Sequence, residues 1–329
     1  MDIRNTRELK NFAAQRLENA PSAKRIALIC AAFIVGTALL DTVIRYLLDL
    51  QIEQTGGLSN IGTRSILSTI QTVFPYARMI LVSCIQLGYA AAMLRVARGQ
   101  YTSPNTLRLG FDRFWLLLRT RILEYALYSL LMFVSLYISV QIFLLTPLSD
   151  EATAIMAPLI TQGLDLSALS DAAYDQLMHS MYPAIFIALA LYVLLILPIY
   201  YQYRMVGFVV IDRPGTRARA ALRESKQMMK GNRFKLFRLD VSLWFFYLLK
   251  ILSTVVCYGD ILLPMIGVEL PMSAEAGYFL FFGLYLVTEF AIFYFLQNRV
   301  STTYALAYDS LRPKEKPNNG VVLGNIFNM

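Results

Sequence analysis

Six long apolar stretches divide the chain, and they constrain its fold more than any other feature. A helix of roughly 20 apolar residues crosses the ~30 Å hydrocarbon layer of a bilayer. The whole chain is 57% hydrophobic, above the roughly 45–50% of soluble domains. The pattern therefore predicts an all-α polytopic membrane protein, a bundle of six transmembrane helices. The predicted spans cover about 26–48, 71–94, 122–145, 182–211, 236–263 and 277–298.

Lysine and arginine alternate between the connections of these spans. Most of the 30 cations lie in four segments, 1–25, 95–121, 204–238 and 299–329. The connections between those segments are acidic and hold a single arginine, and they cover 49–65, 146–181 and 260–276. Cation-rich connections of membrane proteins stay in the cytoplasm. We therefore expect a multi-pass membrane protein with both termini cytoplasmic.

The chain divides into three parts on this basis. Residues 1–25 are predicted to form a cytoplasmic amphipathic segment, with a helix near residues 4–17. Residues 26–311 are predicted to form one six-span membrane domain. Residues 312–329 are polar and rich in Pro, Asn and Gly, a composition typical of a disordered tail. The two halves share an order of span, basic helix and span, which leaves an internal repeat open.

The basic connections carry a helical pattern of their own. Between Ala218 and Met229, small and apolar residues repeat at helical spacing beside a separate stripe of cations, and Gly231 follows as a helix end. A similar apolar face is predicted near 103–118. Such amphipathic helices lie at the membrane surface. The cations that we expect to meet anionic lipid headgroups are Arg217, Arg219, Arg223, Lys226, Lys230, Arg233, Lys235, Arg108 and Arg119.

The expected partners follow from where these cations lie. Each cation near an anionic membrane surface contributes about 1 kcal/mol of attraction. A membrane protein with an acidic face is a further possible partner. Nucleic acid is not expected, because the charge is divided among the ends of apolar spans and forms no basic domain.

Five charged residues fall inside the predicted spans, where each costs about 2.5–3.5 kcal/mol to insert. Counting about 1.5 Å per residue from the basic ends places opposite charges at comparable depths. This predicts one pair between Asp41 and Arg78 and another between Lys250 and Glu289, with Arg45 one turn from Asp41. Two interpretations remain open. The pairs are either structural clamps between helices or the lining of a polar cavity that admits water, an ion or a headgroup.

Motifs of catalysis and cofactor binding do not occur in the sequence. There is no HExxH, GxSxG, P-loop or GxGxxG pattern, so no catalytic residue and no cofactor are predicted. The single histidine and the three separated cysteines do not predict a metal site. The chain is therefore expected not to be an enzyme. A membrane-embedded hydrolase or transferase that uses only carboxylates stays a minor alternative.

Three stretches resemble a known family of bacterial membrane proteins. They are TRELKNFAAQRLENAPSAKRIAL from Thr6, IQLGYAAAMLRVARGQ with LGFDRF from Ile85, and ALRESKQMMKGNRFKLFRLDVSLW from Ala221. Together they are similar to the family named domain of unknown function 975. Val241 and Leu243 depart from its pattern, and the acidic stretch 150–175 looks like an insertion. The resemblance implies a six-helix integral membrane fold and brings no activity, substrate or catalytic residue.

These observations favour a non-enzymatic membrane protein that engages anionic lipid or a membrane partner through a basic cytoplasmic face. The alternative is a small transporter or channel in which Asp41, Arg78, Lys250 and Glu289 form the path. The two hypotheses differ in whether water reaches the charges within the spans.

Overall fold

A computed structural model describes residues 5–54, 61–162, 170–213, 215–265, 268 and 272–312. Those residues form helices and connections, with no strand among them, which confirms the predicted all-α fold. The helices are α1 (Thr6–Glu18), α2 (Ser22–Gln54), α3 (Ile61–Ala97), α4 (Leu109–Asp112), α5 (Phe114–Phe143), α6 (Pro147–Gln162), α7 (Asp171–Tyr203), α8 (Val206–Asp212), α9 (Ala218–Met229), α10 (Arg233–Ser242), α11 (Trp244–Cys257), α12 (Gly259–Met265), α13 (Ala274–Ile292) and α14 (Asn298–Leu311). A 3₁₀ turn covers Pro104–Arg108, and a π-helical turn, Phe293–Gln297, joins α13 to α14.

Within the described residues, five helices are long and apolar enough to cross a membrane, and a sixth crossing is counted if one bent pair is a single span. The bent pair is α10 and α11, which meet at Leu243 with an angle of 68°. The predicted span 236–263 is therefore not one straight helix. α10 carries Arg233, Lys235 and Arg238, whereas α11 is almost wholly apolar. The bend separates charged residues, which favour the membrane surface, from residues that favour its interior.

The chain divides into two compact units, one made of 1–117 with 205–329 and the other of 118–204. In the first unit, α2 packs along α3 through small residues. Ala23, Ala27 and Ala31 recur every four residues on one face of α2 and are buried. Small residues at this spacing let two helix backbones approach closely, which is how helices associate where the hydrophobic effect is weak.

The connection after α3 also belongs to the first unit, and it differs from the amphipathic helix predicted near 103–118. It consists of the 3₁₀ turn and the single turn of α4, and Phe114 already begins α5. Two glycines bring this connection onto α3. A Cβ atom at Gly88 would overlap the carbonyl of Leu107, and one at Gly110 would overlap the carbonyl of Cys84. Side chains at these glycines would force the two segments apart.

The second unit contains most of α5 with α6 and α7. α6 lies in the acidic connection, where no helix was predicted, and it packs against α7. The hydroxyl of Ser139 on α5 donates to the carbonyl of Ala184 on α7. Glu124 is buried and pairs with Arg121 at 2.8 Å.

α1 packs against α14 in the first unit. α1 begins after Asn5, whose side chain accepts a hydrogen bond from the backbone of Glu8, and the helix lies close to the predicted bounds. Lys10 donates to the carbonyl of Ser242 at 3.2 Å, at the end of α10, where helix carbonyls lack partners. The predicted tail lies outside the described residues beyond Arg312.

Candidate functional site: the basic end and the charges within the spans

The ends of α3, α8 and α14 meet in an ion network at one end of the first unit. We call this end of the unit the basic end. Arg98, just after α3, contacts Asp212 of α8 at 2.8 Å and Asp309 of α14 at 2.7 Å. The other carboxylate oxygen of Asp212 lies 2.9 Å from Arg312. The hydroxyl of Tyr308 donates to that same oxygen. The hydrogen bonds from Arg98 to Asp309 and Asp212 raise the pKa of its guanidinium. The charges of this network therefore neutralise one another and fasten α3, α8 and α14 together.

A second arginine reinforces the same end. The guanidinium of Arg113, between α4 and α5, donates to the carbonyls of Val210 and Ile211 in the last turn of α8. Burial lowers the pKa of this guanidinium. A cation is favourable here, because the last carbonyls of a helix carry partial negative charge.

The cations of α9 form a stripe that has no such partners. Arg219, Arg223 and Lys226 are exposed on one side of the helix, and Lys230 is exposed directly after its last residue; we call these four residues the basic stripe. No ion pair joins them to any residue that the structure describes. The only acid of the helix, Glu224, pairs at 3.2 Å with Arg213, which lies outside the stripe. The positive charge of the stripe is thus available to a ligand.

The opposite side of α9 is buried within the first unit. Ala221, Ser225 and Met229 have no exposed surface, and Met228 has 5%. The sequence predicts an amphipathic helix at the membrane surface. In the structure its apolar side packs on the protein, and the basic stripe lies on the exposed side together with Ala220 and Gln227. The glycine stop is where it was predicted, with Gly231 at φ +79° after the helix.

The other predicted headgroup residues are placed differently from one another. Arg217 and Arg108 are exposed at the ends of short helical segments of the first unit. Arg119 is exposed on α5 in the second unit. Lys235 is half-buried and donates to the side-chain oxygen of Asn232 at 2.7 Å. Arg233 is half-buried and already engaged, so it is a weaker candidate than the exposed residues.

The structure brings Asp41 of α2 together with both predicted cations. One oxygen of its carboxylate lies 3.7 Å from Arg78 of α3 and 3.4 Å from Arg45. The other oxygen is buried without a hydrogen-bond partner among the described residues, as is the Nε of Arg78. Asp41 is 6% exposed. The group is a compact cluster of one acid and two bases between two spans.

The second pair is also in contact. The ammonium of Lys250 on α11 donates to the carboxylate of Glu289 on α13, with 30% and 17% of the two side chains exposed. The hydroxyl of Ser253, about one turn along α11 from Lys250, lies 2.9 Å from that of Thr288, the residue next to Glu289. Two polar contacts therefore join the same two helices.

Sequence reasoning missed the polar residues of α14, which is the most fully buried helix of the first unit. Tyr304 donates to Asp240 of α10 and contacts the hydroxyl of Tyr247. Asn298 accepts from the buried hydroxyl of Tyr89 at 2.7 Å. The available signal was the four-residue spacing of tyrosines at 304 and 308, which places both on one helix face.

Residues of the types that bind metals lie apart in the described part of the chain. No three His, Cys, Asp or Glu residues come together there. Cys30, Cys84 and Cys257 are free thiols, and the first two are buried.

The long apolar helices, with opposite charges paired inside them, define a multi-pass all-α membrane protein. Residues 1–314 match the family described as "Protein of unknown function (DUF975)". The match covers almost the whole chain, so the protein belongs to that family, as the sequence resemblance predicted. No curated protein and no solved structure matches the chain.

Proposed function

We propose that this protein is a non-enzymatic component of the bacterial cell membrane that holds anionic phospholipids at its cytoplasmic face. Both termini and the basic end lie in the cytoplasm in this proposal, because cation-rich connections stay on that side. The observation that carries the proposal is the basic stripe of α9. Its cations are exposed and have no partners among the described residues, whereas the opposite side of the helix is fixed to the protein.

The fixed geometry of α9 supports binding over simple solvation. From Arg219 to Lys226 the stripe extends for about 10 Å along the helix axis. At about 1 kcal/mol for each cation near an anionic surface, the four members would contribute about 4 kcal/mol. The helix is held by its buried side, so little ordering entropy opposes this attraction. A membrane protein with an acidic face is the other ligand that the same stripe suits.

A native reporter allows the proposal to be tested. Trp244 is the first residue of α11, two residues after the end of α10, and is 61% exposed. Bromine on a lipid chain quenches tryptophan fluorescence on contact. With Trp115→Phe as background, the full-length protein is reconstituted with brominated phosphatidylglycerol or brominated phosphatidylcholine. At equal mole fractions, we expect brominated phosphatidylglycerol to quench the fluorescence of Trp244 more than brominated phosphatidylcholine does. The difference between the two lipids should shrink at high salt.

A charge-neutral variant and a charge-keeping variant separate the causes. Arg219→Gln/Arg223→Gln should lower the preference for phosphatidylglycerol, by at most about 25-fold for two cations. Arg219→Lys/Arg223→Lys should keep most of it. Equal quenching by the two lipids in the unmodified protein would overturn the proposal.

A transporter or channel is the second candidate. It is supported by the unpartnered carboxylate oxygen of Asp41 and the unpartnered Nε of Arg78, which lack a hydrogen bond within the described residues. Water in this cluster would supply those bonds. Labelling of a cysteine at position 41, described below, tests this candidate directly.

A further inference from the structure

A second possible binding site lies at the basic end, apart from α9. A cavity of about 560 Å³ opens between the end of α1, the start of α2 and the turn after α3. Two arginines and five uncharged polar residues are among those that line it, namely Arg16, Arg25, Asn19, Ser22, Gln100, Tyr101 and Thr102. Its lining contains no Asp or Glu. The cavity is therefore electropositive and rich in hydrogen-bond donors.

Neither guanidinium forms an ion pair with a described residue. Arg16 lies over the ring of Phe12, with 4.8 Å between its guanidinium carbon and the ring centroid. Its Nε is buried and has no hydrogen-bond partner in the described part of the chain. Arg25 is exposed and has no ion pair with a described residue. Buried donors without partners are costly, so a ligand that accepts from Arg16 would be favoured.

A glycine keeps the position of Arg16 open. Gly99 ends α3 with φ +71°, and its N–H and that of Gln100 bond back to Val96 and Arg95, each at 2.9 Å. This is the Schellman end of a helix, which favours glycine. A Cβ atom at Gly99 would also overlap the Nη1 of Arg16. Glycine here thus serves both the turn and the space that the guanidinium occupies.

The cavity lies at the level where two spans leave the apolar layer. The apolar part of α2 begins at Ser22, and that of α3 ends at Ala97. Lipid headgroups occupy the layer just outside the hydrocarbon. The cavity is therefore placed to receive a group that is attached to a lipid, and it is also open to the aqueous side.

We propose that this cavity binds a phosphate-bearing group. The planar fork of an arginine matches two phosphate oxygens, and arginine is the preferred residue for this recognition. Arg16 and Arg25 neutralise the phosphate, while Asn19 and Gln100 donate to its remaining oxygens. The phosphate belongs either to an anionic phospholipid or to a small soluble compound. The lipid source rests on the proposed function, since it requires the basic end to face headgroups.

The test measures bound ligand on the full-length protein in detergent. Dihexanoyl phosphatidylglycerol, inorganic phosphate and dihexanoyl phosphatidylcholine are titrated separately and followed by native mass spectrometry and thermal stability. We expect one phosphatidylglycerol per chain, with affinity lowered at least tenfold by Arg16→Gln/Arg25→Gln. The control is Lys24→Gln, which removes an exposed charge beside Arg25 but outside the cavity. It should change affinity less than twofold.

The outcomes distinguish this site from the basic stripe and identify the source of phosphate. Saturable binding of inorganic phosphate that is lost in the cavity variant indicates a soluble ligand, whereas binding of phosphatidylglycerol alone indicates a lipid. If the stripe variant Arg219→Gln/Arg223→Gln loses the bound lipid and the cavity variant keeps it, the cavity proposal fails and the proposed function stands. The cavity proposal is also overturned if neither phosphatidylglycerol nor inorganic phosphate binds saturably. Arg25→Gln alone, at an exposed position, repeats the test if the double variant does not fold.

Discussion

Removing one member of the Lys250–Glu289 pair should destabilise the protein far more than removing both. A charge left alone within a span costs about 2.5–3.5 kcal/mol, and breaking a buried pair costs about 3–5 kcal/mol. The two side chains are 30% and 17% exposed, which favours the lower end. We expect Lys250→Leu and Glu289→Leu each to lower the free energy of unfolding by about 3 kcal/mol. The double variant, which leaves no charge, should lower it by less than about 1 kcal/mol.

The native thiols provide the assay. Cys30 and Cys84 are buried in the first unit and become reactive when it unfolds. A fluorogenic thiol dye then reports the melting midpoint of the purified full-length protein. A loss of 3 kcal/mol corresponds to roughly 6–12 °C. Val255→Leu, at an exposed position of α11, controls for substitution on this helix and should change the midpoint little. If the double variant melts as low as the sum of both single losses, the two charges do not stabilise each other and the clamp interpretation fails.

Three further predictions use other contacts. Gly110→Ala should lower the free energy of unfolding by more than about 1 kcal/mol, because its Cβ would overlap the carbonyl of Cys84. Gly36→Ala, with open space around its Cβ, should be neutral or stabilising by up to about 1 kcal/mol; equal losses at both glycines would contradict the close approach. Arg98→Gln should cost about 1–3 kcal/mol in the same melting assay, because Asp309 loses its arginine and Asp212 keeps only Arg312 and Tyr308; an unchanged midpoint would show that Arg98 contributes nothing. Asp41→Cys, without native cysteines, should not react with an impermeant maleimide from either side, and reaction would favour the transporter.

The pairing of Lys250 with Glu289 was predicted from the sequence, although one step of that prediction was inexact. The depth count assumed one straight helix from residue 236, which placed Lys250 about 21 Å from the basic end. The bend at Leu243 changes this, since Lys250 lies only about 9 Å along α11 from Trp244. The structure still joins the two residues. A charge within a span has few alternatives to an opposite charge on a neighbouring span, so charge type carried the prediction more than depth did.

The apolar helices were predictable because a bilayer requires their length and composition. The arrangement of the basic end was less predictable, because its helices depend on contacts between residues that are far apart in the sequence. α14 continues the last apolar stretch with polar residues such as Tyr304 and Tyr308, which alone suggest the start of a tail. They are buried because Asp240 and Asp212 accept their hydroxyls. A single sequence indicates the residue types of such a network but not their partners.

The cations of the first unit separate according to whether they have a partner. Within the spans, Arg45, Arg78 and Lys250 each face a carboxylate, and such pairs hold α2 to α3 and α11 to α13. A continuous ion path would require charges that are open to water along its length, a condition that labelling of the Asp41→Cys variant tests. In the described residues, the exposed cations without carboxylate partners include Arg219 and Arg223 at the basic end. Positive charge that is paired in the apolar layer and spare at the headgroup level suits a protein that holds anionic lipid better than one that conducts ions.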